Sequence, residues 1–195
     1  MENTNSPIVF ASHNENKVTE IKNLLTHFHI LDLNDIGFHE EIEETGQSFK
    51  ENAEIKADAV AGNTQFPVFA DDSGLVVPIL NFEPGIFSFR YAGTGKSEDN
   101  IEKLLKNLEN SENRDAYFMT VICLVLNNQK YFFEGRVMGK ILPNPIGNAG
   151  FGYDPVFLPD GYHLSFAQMS PEEKNQFSHR AVAVNKMRKF LLEHL

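Results

Sequence analysis

The sequence predicts a mixed α/β fold, and three stretches carry the prediction. Ile8 to Ala11 is a short apolar run after Pro7 that leads into a helical pattern with Val18, Ile21, Leu24, Leu25 and Phe28 on one face, giving strand, polar turn and helix in succession. Val68-Phe69-Ala70 runs into Asp71-Asp72-Ser73-Gly74 and resumes as Leu75-Val76-Val77, which reads as a buried strand interrupted by acid groups. Tyr117 to Leu126 and Tyr131 to Ile141 are rich in aromatic and β-branched residues, and Asn127-Asn128 separates them. That is a hairpin signal, and it argues against a purely parallel sheet.

The remaining elements follow along the chain. A helix is expected over Ser48 to Ala61, because Ser48 and Glu51 match a capping box and Phe49, Ala53, Ala57 and Val60 share a stripe. Ile101, Leu104, Leu105 and Leu108 mark a third helix. The segment before it, Gly93-Thr94-Gly95-Lys96-Ser97, looks like the end of a P-loop, but Arg90 stands where that motif needs glycine and no parallel strand immediately precedes it. It reads as a turn capping the third helix. Pro143 to Pro155 contains three Gly and three Pro and is expected to be a structured loop. Its glycines follow the order G-x-x-G-x-G, which is not the dinucleotide fingerprint, so no nicotinamide or flavin cofactor is implied. Ser170, Pro171 and Glu173 start a short helix, and Ser178 is placed to cap a final one. With no repeat, low-complexity segment or linker, residues 1–195 read as one domain, with 1–6 expected to be a frayed tail.

The chain has 195 residues, 42% of them hydrophobic and 23% charged, enough for one good-sized core. No run approaches the roughly 18 apolar residues of a membrane span, and MENTNSPIVF lacks the features of a signal peptide, which predicts a cytoplasmic protein with no membrane partner. The single cysteine, Cys123, lies in the apolar run MTVICLVL and is expected to act as a small core hydrophobe. Seventeen Lys and Arg against 27 acidic residues give a formal net charge of −10. Such a field repels nucleic acid, and it requires any phosphate site here to be locally positive.

Few segments meet that requirement. Ser12-His13-Asn14-Glu15-Asn16-Lys17 lies between the first strand and its helix, where outward backbone N–H groups and Lys17 favour an anion; Asn14 as a simple helix cap is the alternative. Asp71-Asp72 sets two carboxylates in an apolar strand, a costly arrangement unless a cation or hydrogen bonds compensate. A hard divalent ion such as Mg²⁺ meets that need, and Glu43-Glu44 offers further oxygens, although Glu41 to Glu44 also fits a solvated charge run. Lys174 with His179-Arg180 brings two permanent positive charges and an imidazole into seven residues, while Phe151-Gly152-Tyr153-Asp154 supplies rings, close backbone approach and an acceptor for a base or ribose edge. Singly, each has an ordinary structural reading, with Lys174 and Arg180 as surface charges and Tyr153 as core.

Taken together the segments carry a resemblance. ASHNENKVTEI, EETGQSFKENAEIKA, ADDSGL, PGIFSFRYAG, GNAGFGYDPVF and MSPEEKNQFSHRA occur in one order over almost the whole chain, which resembles the inosine/xanthosine triphosphate pyrophosphatase family. The resemblance implies an elongated mixed-sheet α/β fold of two lobes with the active site in the central cleft, usually in a homodimer. It implies hydrolysis of deaminated purine nucleoside triphosphates (ITP, dITP, XTP) to the monophosphate plus pyrophosphate. It also implies roles: Ser12, His13, Asn14, Glu15, Asn16 and Lys17 binding phosphate, Glu43 and Asp72 holding Mg²⁺, and Asp72 as catalytic base. Ser73, Phe151, Gly152, Tyr153, Asp154, Lys174, His179 and Arg180 would bind the substrate. Asn81-Phe82-Glu83 and Phe89 depart from the small residues usual in that family, outside the phosphate and metal motifs. A pyrophosphatase for modified pyrimidine triphosphates is the rival enzyme, against which GFGYDP and SHRA argue; a non-catalytic nucleotide sensor is the rival of another class, against which Asp72 and Glu43 argue.

Overall fold

A computed structural model describes residues 6–194; the expected tail, apart from the exposed Ser6, lies outside the described residues. The elements are β1 (Ile8–Phe10), α1 (Glu15–Leu24), β2 (Ile30–Leu31), α2 (Phe49–Ala61), β3 (Val68–Val76), α3 (Ser97–Asn107), β4 (Asp115–Leu126), β5 (Gln129–Ile141), β6 (Phe157–Pro159), α4 (Pro171–Lys174) and α5 (His179–His194), with short 3₁₀ turns between them. The six strands form one sheet in the order β2-β1-β3-β4-β5-β6. β1 runs parallel to β2 and β3, whereas β5 and β6 are antiparallel, so the sheet is mixed as expected. No helix among the described residues is long and apolar enough to cross a membrane.

Local chemistry explains most boundaries. The Asn14 side chain accepts from the Lys17 N–H and caps α1, and the Ser48 hydroxyl accepts from the Glu51 N–H and caps α2. The expected capping box at α2 is only half present, because the Glu51 carboxylate turns back to the Gln47 N–H at 2.7 Å. Ser170 and Glu173 do form a full box ahead of α4. Asn127 and Asn128 adopt φ of 51° and 60°, the left-handed pair that a tight two-residue hairpin turn requires. Gly93 to Lys96 is a turn leading into α3, as read, but the N-cap residue Lys96 makes no side-chain capping bond. β3 differs from expectation: it runs unbroken through Asp71 and Asp72, because partners for both carboxylates remove the reason to interrupt it.

The chain divides into two compact units. The first comprises Met1–Asp72, Thr120–Gly135 and Ala181–Leu195, taken over their described residues. Its strands alternate strictly. Ile8, Phe10, Phe69, Ile122 and Leu124 pack with Ile21 and Leu25 of α1 and with Val184, Met187 and Leu191 of α5, while Val9, Val68, Ala70 and Cys123 pack with Ala53, Ala57 and Val60 of α2. This period of two buries both faces of the sheet and explains why its strands read as continuous apolar runs.

The second unit comprises Ser73–Met119 and Arg136–Arg180. Its core joins Leu75 and Val77 to Ile101, Leu104 and Leu108 of α3, to Phe118 and Ile141, and to Tyr153, Phe157 and Phe166. Gly139 admits β6, since a Cβ there would meet the Leu158 carbonyl and the Phe157 ring.

Candidate active site

Strand periodicity decides what the two adjacent aspartates of the first unit can do. Successive side chains leave a strand on opposite faces, so Asp71 points with Phe69 toward α1 and Asp72 points with Ala70 toward α2. The contacts follow. Lys17 of α1 places its ammonium 3.0 Å from Asp71 Oδ1, whose side chain is fully buried. On the other face, Asn52 Nδ2 donates to Asp72 Oδ2 at 3.2 Å and Lys56 Nζ donates to Asp72 Oδ1 at 3.4 Å, both from α2. The two carboxylates therefore meet different ammonium groups at hydrogen-bonding distance, one on each face of the strand.

Lys56 also donates to Glu44 Oε1 at 2.7 Å, so one ammonium joins two carboxylates. Burial by itself would lower the pKa of Lys56, but Asp72, Glu44 and Asp71 together hold it above the ordinary lysine value. For Asp72 burial prevails instead: loss of solvent raises its carboxyl above the usual aspartate value, against the pull of Lys56, Lys17 and the Asn52 amide. A carboxyl shifted toward neutral pH and held by fixed donors is well suited to accept a proton.

The other sequence candidates of this unit sit at the α1 turn. Ser12 Oγ accepts from the Asn14 N–H, His13 Nε2 lies 3.1 Å from the Glu40 carbonyl, and Glu15 and Asn16 are exposed. The capping role of Asn14 is thus realised alongside whatever anion role the turn has. Glu43 is exposed and forms no ion pair among the described residues; its neighbour Glu44 supplies the carboxylate that reaches Lys56. Cys123 is fully buried, and burial together with the nearby Glu54 and Asp58 pushes its thiol up to about 12, which leaves no thiolate at neutral pH.

In the second unit the structure brings together most of the residues read as base-binding. Lys174, 5% exposed, donates to Asp154 Oδ2 at 2.7 Å, and the same oxygen accepts from the Phe151 N–H at 3.0 Å. The Phe151 ring lies 5.0 Å from the Lys174 ammonium and 5.7 Å from the Arg180 guanidinium. Arg180 is 1% exposed and donates to Ser73 Oγ at 3.2 Å. Gly150, at φ 73°, cannot carry a side chain, since a Cβ would fall on the Asp154 carboxylate. Tyr153 is a core residue that donates to the Ser88 carbonyl at 2.9 Å, and burial beside Tyr91 raises its phenol. His179 is buried too, its ring stacked on Phe118 at 4.6 Å and 11°. Half-buried Phe151 is accordingly the aromatic of this loop with a face to offer.

Asn52 and Lys56 escaped the sequence reading, although a signal existed. The buried positions of α2 are Phe49, Asn52, Ala53, Lys56, Ala57 and Val60, one helical stripe in which two members are polar. A polar pair inside an apolar stripe marks a functional face more sharply than the stripe itself.

The profile of the Ham1 family matches residues 8–190. The chain is 50% identical over 178 residues to a dITP/XTP pyrophosphatase of Flavobacterium psychrophilum, covering 90% of this chain and 94% of that protein. It is 47% identical over 186 residues to the dITP/XTP pyrophosphatase of Christiangramia forsetii, covering 94% and 98%. Among solved structures, the Ham1 protein of Staphylococcus aureus superposes with a TM-score of 0.88 at 41% identity, covering 97% of this chain and 100% of that one.

Proposed function

Because this chain belongs to the Ham1 family, we propose that it hydrolyses deaminated purine nucleoside triphosphates, dITP and XTP among them, to the monophosphate and pyrophosphate. The observation that carries the reading is Asp72, a buried carboxyl with a raised pKa that two side chains of one helix hold in place.

The chemistry follows from these residues. A water attacks the phosphorus nearest the nucleoside; its oxygen forms the new P–O bond, its proton passes to an Asp72 oxygen, and the bond to the bridging oxygen breaks to release pyrophosphate. The ammonium groups of Lys17, Lys56 and Lys174 offset the phosphate charge, and Ser12 to Asn16 add donors at the α1 turn. Asp154 and Arg180 fix the loop of Phe151, on which the purine stacks. Asp72 and Glu44 already converge on one cation, Lys56, and carboxylate oxygens are the donors Mg²⁺ prefers. They fit that ion, with Glu43 as the alternative second ligand. When bound, Mg²⁺ supplies charge neutralisation for the leaving pyrophosphate. Under the same reading the chain acts as a homodimer in the cytoplasm.

Incubation with dITP and Mg²⁺ tests the proposal, with pyrophosphate and dIMP expected as products. Orthophosphate with dIDP would overturn it. Binding without turnover would make the chain a nucleotide sensor.

Lys17→Ala and Lys174→Ala are each expected to raise KM for the triphosphate, more steeply for the triphosphate than for a diphosphate. Each also removes the ammonium beside a buried carboxylate, Asp71 or Asp154, a loss on the order of 3–5 kcal/mol when one partner of a buried pair is removed. Melting temperature should therefore fall with KM's rise. In the double variant Lys17→Met/Asp71→Asn stability should recover while KM stays high. Unchanged KM in all three variants would remove the lysines from the phosphate site.

A further inference from the structure

Lys56 holds an unusual position: its single ammonium lies 2.7 Å from Glu44 Oε1 and 3.4 Å from Asp72 Oδ1, on the face of β3 that α2 covers. Asn52, one turn earlier on the same helix, fixes the second oxygen of Asp72 at 3.2 Å. The lysine side chain is 11% exposed and that of Asp72 8%, so solvent screens their attraction little. A positive charge thus already occupies the place where two carboxylates could hold a metal ion.

We propose that Lys56 is a resident counter-cation that competes with the divalent ion for Glu44 and Asp72, so that metal binds weakly to the free protein and tightly only in company with the triphosphate. This rests on the reading that Asp72 and Glu44 ligate Mg²⁺. Two cations a few ångströms apart in a partly dry site repel strongly, so the ion and the ammonium cannot both keep full contact with the same oxygens. Without a nucleotide, the entering ion must displace Lys56 and leave its ammonium poorly compensated. With a triphosphate, four added negative charges remove that penalty. Metal affinity then depends on nucleotide and, reciprocally, nucleotide affinity on metal. The free chain keeps its site ordered and resists loading with whichever divalent ion is abundant.

The test is calorimetric titration of Mg²⁺ and Mn²⁺ into the nucleotide-free full chain, repeated with a non-hydrolysable ITP analogue. Lys56→Met should bind either ion at least tenfold more tightly than wild type without nucleotide, and the further gain on adding the analogue should shrink. Lys56→Arg, which keeps the charge, should bind no more tightly than wild type. Thermal melts give an independent readout: Mg²⁺ should raise the melting temperature of Lys56→Met more than that of wild type. Should Lys56→Met not fold, Lys56→Gln carries the same expectation. Equal or weaker metal binding by the folded neutral variant, while wild type binds metal with the analogue, would overturn the competition and leave the metal site standing. No metal binding by wild type even with the analogue would instead sink the assignment of Asp72 and Glu44.

Discussion

Asp72→Asn is expected to lower kcat for dITP by about 10² or more, the range for loss of a positioned acid–base group, without lowering the melting temperature. The first half follows from charge: an amide of nearly the same shape cannot take the proton of the attacking water and holds a hard cation more weakly than a carboxylate does. The second half follows from linkage. Burial raises the folded-state pKa of Asp72 above its ordinary value of 3.8, so the ionised carboxylate opposes folding at all pH values above that range. Removing the charge removes the penalty, and Lys56 keeps Glu44 at 2.7 Å as its counter-charge. The variant should melt at or above the wild-type temperature at neutral pH, with the difference vanishing as pH falls below the ordinary carboxylate range and Asp72 protonates in both states. The acid limb of the wild-type rate profile, which reports loss of the base by protonation, should disappear from whatever activity remains. Near-wild-type kcat would move the chemistry to Asp71 or Glu44. A large drop in melting temperature would mean that Asp72 serves the fold before the reaction.

The second large effect is selectivity for the base. The 6-oxo group of hypoxanthine and xanthine is an acceptor, whereas adenine carries an amino donor there. Under the proposed reading, donors near Phe151, with Lys174 at 5.0 Å and Arg180 at 5.7 Å from that ring, pair with the first two and oppose the third. A site built to satisfy one hydrogen-bond polarity rejects the other by roughly 10⁴ in favourable cases. ITP, dITP and XTP should therefore exceed ATP, CTP and UTP by about that factor in kcat/KM, with GTP low but intermediate because it shares the 6-oxo group and is refused only at its 2-amino group. In Arg180→Ala the gap between ITP and ATP should narrow, chiefly through ITP. ATP turned over as well as ITP would end the argument from hydrogen-bond polarity while leaving pyrophosphate release intact.

Where sequence and structure agree, the cause is local. The caps at Asn14, Ser48 and Ser170 and the left-handed pair Asn127-Asn128 are decided by a few neighbouring residues, and all were readable. β2 and β6 were missed because two or three residues show no periodicity, and their pairing is set by strands far off in sequence. The site follows the same rule. Asp71, Asp72, Lys174 and Arg180 stood out by residue type, but Asp71, Asp72 and Lys174 find their charged partners 16 to 54 residues away, and Arg180 meets the Ser73 hydroxyl 107 residues away. The acids looked like one cluster because sequence places them side by side, whereas the pleat sends them to opposite faces. Lys56 stands at a stripe position of α2 by spacing alone, but only its partners reveal which carboxylates it joins.

The division into two units has a consequence for how such a chain can change over generations. The first unit is assembled from three stretches and the second from two, with the chain passing between them after Asp72, Met119, Gly135 and Arg180. No contiguous stretch of the gene encodes either unit whole. Recombination cannot therefore exchange either unit as a single stretch, as it can where domains follow one another along the chain. Two of the four passages also adjoin residues of the proposed site, Asp72 followed by Ser73 and Arg180 followed by Ala181, so an insertion at either would displace a side chain on which that proposal rests.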